Sequence, residues 1–194
     1  MDTSNPGTLA LLVAIVGIVV VAIGWIAYQK SRSRRLEKRF GPEYHHTVEE
    51  MGSRAKAEAE LAARERRVEK LRLVPLEPDE AARFDHAWRA IQGRFVDSPK
   101  GALTEADQLV RELMARRGYP MADFEHRAAD ISVDHAHVVD HYREARAIAL
   151  RDQHAPVSTE ELRRAVVHYR ALFEELLEVS EPAHRNVRTV EVRS

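Results

Sequence analysis

Ten histidines stand among the 194 residues, and they are the only side chains present in unusual number that could do chemistry near neutral pH. His135, His137 and His141 cluster. His137 and His141 are spaced one helical turn apart, a separation at which two imidazoles can share a zinc ion with Asp134 or Asp140 as a third ligand. The metalloprotease pattern H-E-x-x-H is absent, and the same histidines border the apolar positions Val138 and Tyr142, where an amphipathic ring covers the edge of a core. A di-iron bundle needs two Glu-x-x-His motifs. Glu43-x-x-His46 is a full match, and Asp123-x-x-His126 only approximates the motif. Ser132, Asp134 and His135 are neighbours in sequence, but nucleophilic triads assemble across a fold and are not read from adjacency. With no cysteine, no G-x-G-x-x-G, no P-loop and no G-x-S-x-G, the chain lacks thiol, phosphate-cradle and nucleophile-elbow signatures. No catalytic, cofactor-binding or metal residue is assigned. The reading is non-enzymatic, and the alternative is a membrane-bound metal-dependent enzyme or metal sensor using His135, His137 and His141.

The elements that would carry these groups divide sharply by charge. No Asp, Glu, Lys, Arg or His occurs from Thr3 to Gln29. Leu9 to Tyr28 is apolar throughout, and as a helix it would span about 30 Å, the thickness of a bilayer's hydrocarbon. Trp25 and Tyr28 fall where an interfacial aromatic belt belongs. A cleaved signal peptide fits less well, because no Lys or Arg precedes the apolar run and no small-residue cleavage site follows it. Between Lys30 and Arg39, six basic residues against Glu37 make a collar of net charge +5, while residues 40–194 carry −5. A basic flank is retained inside the cell. The expectation is therefore a single-pass inner-membrane protein with its N-terminus outside and its C-terminal domain cytoplasmic. The bilayer is its first partner, and an acidic body with dispersed arginines offers no nucleic-acid surface. Ala10, Gly17 and Gly24 recur every seven residues and could form a homodimer seam within the span.

Beyond the collar, Gly41-Pro42 breaks the helix leaving the membrane. Thr47 with Glu50 forms a capping-box pattern that predicts a charged stalk helix over 47–73, too poor in apolar residues for a regular coiled coil. Val74 to Pro78 reads as a linker. Apolar stripes then recur at helical spacing: Phe84/Trp88/Ile91/Phe95, Leu103/Ala106/Val110/Leu113, Phe124/Ala128/Ile131, Val138/Tyr142/Ala145/Ala149 and Leu162/Val166/Tyr169/Phe173/Leu176. Ser98 before Pro99, Asp134 or His135, and Ser158 with Glu161 are the expected helix starts. The fold class is all-α. The expected layout is a short tail (1–8), a transmembrane helix (9–28), a basic juxtamembrane segment (29–46), the stalk (47–73), a four- to five-helix bundle (74–179) and a flexible tail (180–194), in which Val187 to Arg193 alternate. Arg117 and Tyr119, beside the Gly118 turn, are the expected exposed anchors for another protein.

Several segments carry a resemblance. RFGPEY at 39–44, RFVD at 94–97, EADQLV at 105–110, RGYP at 117–120, DFEHRAADISVDH at 123–135, HYR at 141–143 and HYRALFEELL at 168–177 together resemble a family of uncharacterised bacterial single-pass membrane proteins. That resemblance covers about residues 34–178 and implies an anchor followed by a helical domain. It implies no activity and no site residue.

Overall fold

The computed structural model describes residues 6–177, with side chains described from residue 15 onward. The expected alternation at Val187 to Arg193, the C-terminal tail and residues 1–5 lie outside the described residues, as does the side chain of Ala10, whereas residues 6–8, expected in the N-terminal tail, belong to the first helix. Eight helices and no strand occur among the described residues: α1 Pro6–Phe40, α2 Pro42–Met51, α3 Arg54–Val68, α4 Pro78–Arg94, α5 Pro99–Arg117, α6 Phe124–Asp134, α7 Val139–His154 and α8 Thr159–Leu177. The chain forms two compact units, residues 1–62 and 63–194, with α3 crossing the boundary.

In the first unit α1 carries the apolar run and the basic collar in one continuous helix. Within Ile15–Phe40 an 18-residue window reaches a mean hydropathy of 1.3, and the helix is long and apolar enough to cross a membrane. Its apolar side chains face outward, Ile18 at 70% and Val21 at 72% exposure, whereas Leu36 and Phe40 at the far end are buried. Gly41 then adopts a positive φ of 50° and Pro42 opens α2, so the expected break is present.

The single stalk helix over 47–73 is not what forms. Proline at the first position starts α2 five residues before Thr47, because its fixed φ suits a helix start. Thr47 therefore lies mid-helix, fully buried, and its hydroxyl donates to the Glu43 carbonyl at 2.9 Å instead of capping. Gly52, left-handed at φ 61°, ends α2, and α3 stops at Val68.

In the second unit five helices, α4 to α8, surround one core, as the stripes require. α8 is central and packs on α4, α5 and α7. Its Leu162, Val166, Tyr169, Phe173 and Leu176 are all buried. Trp88 of α4 stacks on Phe173 with centroids 4.8 Å apart, and Tyr142 of α7 meets Tyr169 edge-on at 6.2 Å. Offset and edge contacts of this kind suit the quadrupoles of aromatic rings.

The helix starts follow local chemistry, although not always at the expected residue. Ser158 and Glu161 form the reciprocal box, with Glu161 N–H to Ser158 Oγ at 3.2 Å and Ser158 N–H to Glu161 Oε2 at 3.1 Å. Ser98 precedes Pro99 as expected, yet its side chain makes no cap hydrogen bond. Neither Asp134 nor His135 starts α7, which begins at Val139 without a side-chain cap; His135 instead closes α6. The segment read as a linker contributes its own start, a capping box of Glu77 with Glu80 around Pro78. Gly118 ends α5 at φ 93°, and a Cβ there would lie 2.7 Å from the Arg72 carbonyl oxygen. Two independent constraints, the left-handed backbone and the close approach, thus require glycine.

Candidate functional site

The helix break before α7 decides what the histidines can do. Because α7 starts at Val139, His137 lies in the preceding turn and is not one helical turn from His141 on a shared face. The expected trio separates into two groups. His135 Nδ1 and His137 Nε2 reach the two oxygens of Glu175 on α8, at 2.9 and 3.1 Å. His141 Nδ1 meets His168 Nδ1 at 2.9 Å, the rings stacked at 5.0 Å, and His168 Nε2 lies 2.8 Å from Glu144 Oε2. Among the described residues no three metal-ligating side chains converge as a bound ion would need. Asp134 is exposed, and Asp140 pairs with Arg143 at 3.4 Å.

Each group has a definite electrostatic character. Burial pushes the Glu175 carboxyl up, but hydrogen bonds from His135 and His137 and their positive potential outweigh it, so its pKa falls below the usual value. Burial holds His168 below the ordinary histidine range. The proximity of His141 and Arg164 adds to that, while the Glu144 charge opposes it. Of two imidazoles facing each other through Nδ1, one must donate and the other accept, which a doubly protonated pair cannot do.

The remaining candidate motifs have structural occupations. Asp123 is the N-cap of α6, accepting from the His126 N–H at 3.0 Å and from its ring at 2.8 Å. Glu43 is fully buried and His46 is exposed, so that Glu-x-x-His motif does not point both groups at one place. Ser132 is buried, its hydroxyl donating to the Ala129 carbonyl at 2.7 Å. Glu160 and Glu174 pair along α8 with Arg163 and Arg170.

Arg117 and Tyr119 are not exposed anchors. Arg117 is 8% exposed and donates to the Leu176 carbonyl at 2.9 Å; Tyr119 is 3% exposed, and burial, with the Asp134 charge, pushes its hydroxyl up to about 12. The positive φ of Gly118 turns the chain back over the end of α8, so both side chains point inward. Replacing them would loosen the bundle before it affected any partner.

A polar cluster that sequence reasoning missed lies in the first unit. Ser33 in the collar, Tyr44 in α2 and Arg54 in α3 all donate to one oxygen of Glu58, Oε1, at 2.5, 2.9 and 3.1 Å. Arg54 also donates to the Tyr44 hydroxyl at 2.8 Å. Burial raises the Glu58 carboxyl and the three hydrogen bonds lower it further, leaving it below its ordinary pKa and ionised. The residues are separated by up to 25 positions, and no local pattern announces them.

Beside this cluster runs a cleft of about 550 Å³ between α1 and α3. Comparison with protein-family models, curated proteins and solved structures finds no significant match to this chain, so the arrangement of its own residues is what carries a functional reading.

Proposed function

We propose that this protein is a membrane-anchored, non-enzymatic helical interaction module of the bacterial inner membrane, with its N-terminus outside and its bundle in the cytoplasm. The observation that carries this reading is the contrast between two apolar populations. The second unit buries its stripes, while α1 leaves Ile18, Val20, Val21, Ile23, Trp25 and Ile26 more than 60% exposed. An apolar face of that extent needs a nonaqueous environment, which a bilayer supplies. The collar directs the orientation by the positive-inside rule. The occupation of the histidines and buried serine in structural hydrogen bonds supports a binding role over a catalytic one. Tethering favours such a role, because it raises the effective concentration of the module near membrane partners.

The absence of cysteine makes topology directly measurable. Ser4→Cys and Gln153→Cys, each made singly, are to be treated in intact spheroplasts with a membrane-impermeant maleimide. Labelling of residue 4 and protection of residue 153 is the expected result; labelling of 153 before lysis would overturn the orientation. In-cell crosslinking of the tagged full chain, read by mass spectrometry, tests the interaction role. A reproducible near-stoichiometric partner is expected, and recovery of the chain by itself would replace the module reading with self-assembly.

A further inference from the structure

The cleft between α1 and α3 combines features that the anchor alone does not require. Ile26, Lys30 and Arg34 succeed one another at one-turn intervals along the α1 side, with Ser33 between them, and Arg54, Ala55 and Glu58 supply the opposite wall. An apolar residue thus comes first, at the level of Trp25 and Tyr28, and two cations follow along the helix. Lys30 and Arg34 are exposed, and among the described residues neither pairs with a carboxylate. Glu58, the acid on the opposite wall, directs one oxygen to Ser33, Tyr44 and Arg54 together, so its charge is balanced by Arg54 within the wall. Glu37, at the far end, has His45 Nε2 at 3.9 Å. The positions left for a ligand are cationic, at a depth where phosphate groups of a membrane lie.

We propose that the α1–α3 cleft binds the phosphate of an anionic phospholipid headgroup, with Lys30 and Arg34 as its cationic contacts and Ile26 beside the start of the acyl chains. This rests on α1 spanning the bilayer. The cluster around Glu58 fixes the two walls, so it positions the site without touching the lipid. The inference goes beyond general attraction of a basic collar to acidic membranes, because it makes two of the six cations unequal to the rest.

The test compares two double variants of equal charge, Lys30→Gln/Arg34→Gln and Arg32→Gln/Lys38→Gln, both at exposed positions. The full chain is first reconstituted into phosphatidylglycerol and phosphatidylcholine vesicles and floated on a gradient. It is then titrated in detergent with each lipid and read by native mass spectrometry. Co-flotation with both vesicles and selective adducts with phosphatidylglycerol are expected. The cleft variant should weaken those adducts about tenfold and the control variant less than about twofold. Equal loss in both variants would reduce the effect to collar electrostatics and overturn the site. Displacement of the lipid by inorganic phosphate alone would identify a soluble ligand and overturn the lipid source. Failure to float with either vesicle would overturn the membrane span, and the headgroup site with it. Flotation without lipid preference would overturn the site alone.

Discussion

Glu58 and Glu175 are carboxylates held ionised by donors from other elements, and both have pKa values below the ordinary 4.5. A lowered folded-state pKa stabilises the fold above the unfolded value and ceases to do so as pH falls through the folded one. Each therefore supports its own unit at neutral pH and loses that support below about pH 4.5. Glu58→Ala would leave the buried Ser33 hydroxyl without its acceptor, at a cost of about 1–3 kcal/mol. Urea denaturation of the full chain followed through Tyr44 environment would register it; an unchanged transition would show that the cluster contributes nothing. His168 behaves in the opposite sense. Its pKa is lowered, so below about pH 6.5 the unfolded chain takes up a proton that the folded bundle resists, and stability declines. His141 and Glu144 on α7 and Arg164 on α8 are the charged or titratable groups acting on it. The melting temperature of the wild type should fall between pH 6.5 and 5, and His168→Gln should flatten that decline. A parallel decline in both would assign it elsewhere.

At the scale of the elements, local rules located several helix ends and missed others. Ser158-x-x-Glu161 forms the capping box its pattern implies, whereas Thr47-x-x-Glu50, the same pattern, does not. The difference is Pro42, which opens a helix upstream and carries Thr47 into its interior. Gly52 carried the signal for the missing break, since a left-handed C-cap favours glycine. The stripes on α5, α7 and α8 were legible because each faces a single core at period 3.6. The histidine grouping was not, because it depends on α7 starting four residues after His135. Nor were the occupants of Glu58 and Glu175, which are chosen by packing between distant segments. Gly118→Ala should lower stability by more than about 1 kcal/mol, since φ 93° disfavours any side chain and the Cβ would meet Arg72. Asp123→Ala should cost about 1 kcal/mol through loss of the α6 cap. Thermal melts of the two variants check both values, and an unshifted Gly118→Ala melt would mean that the turn relaxes freely.

Over the whole chain, a net charge of −1 conceals a collar of +5, a body of −5 over residues 40–194, and Asp2. That asymmetry is legible in the sequence, and so is the all-helical class. What escaped was the direction in which side chains near a turn point: Arg117 and Tyr119 look like surface anchors in a Gly-Tyr-Pro turn, yet both close the end of the core. The uninterrupted geometry of α1 has a further consequence. At about 100° per residue, Gly17 and Gly24 lie some 160–180° around α1 from Ser33. The smooth face of the helix and its clasped face are therefore antipodal. If α1 spans a bilayer as proposed, two copies joined back to back through the glycines would turn their clefts outward, so self-association and the proposed headgroup occupancy could be varied independently, each through its own side of one rod.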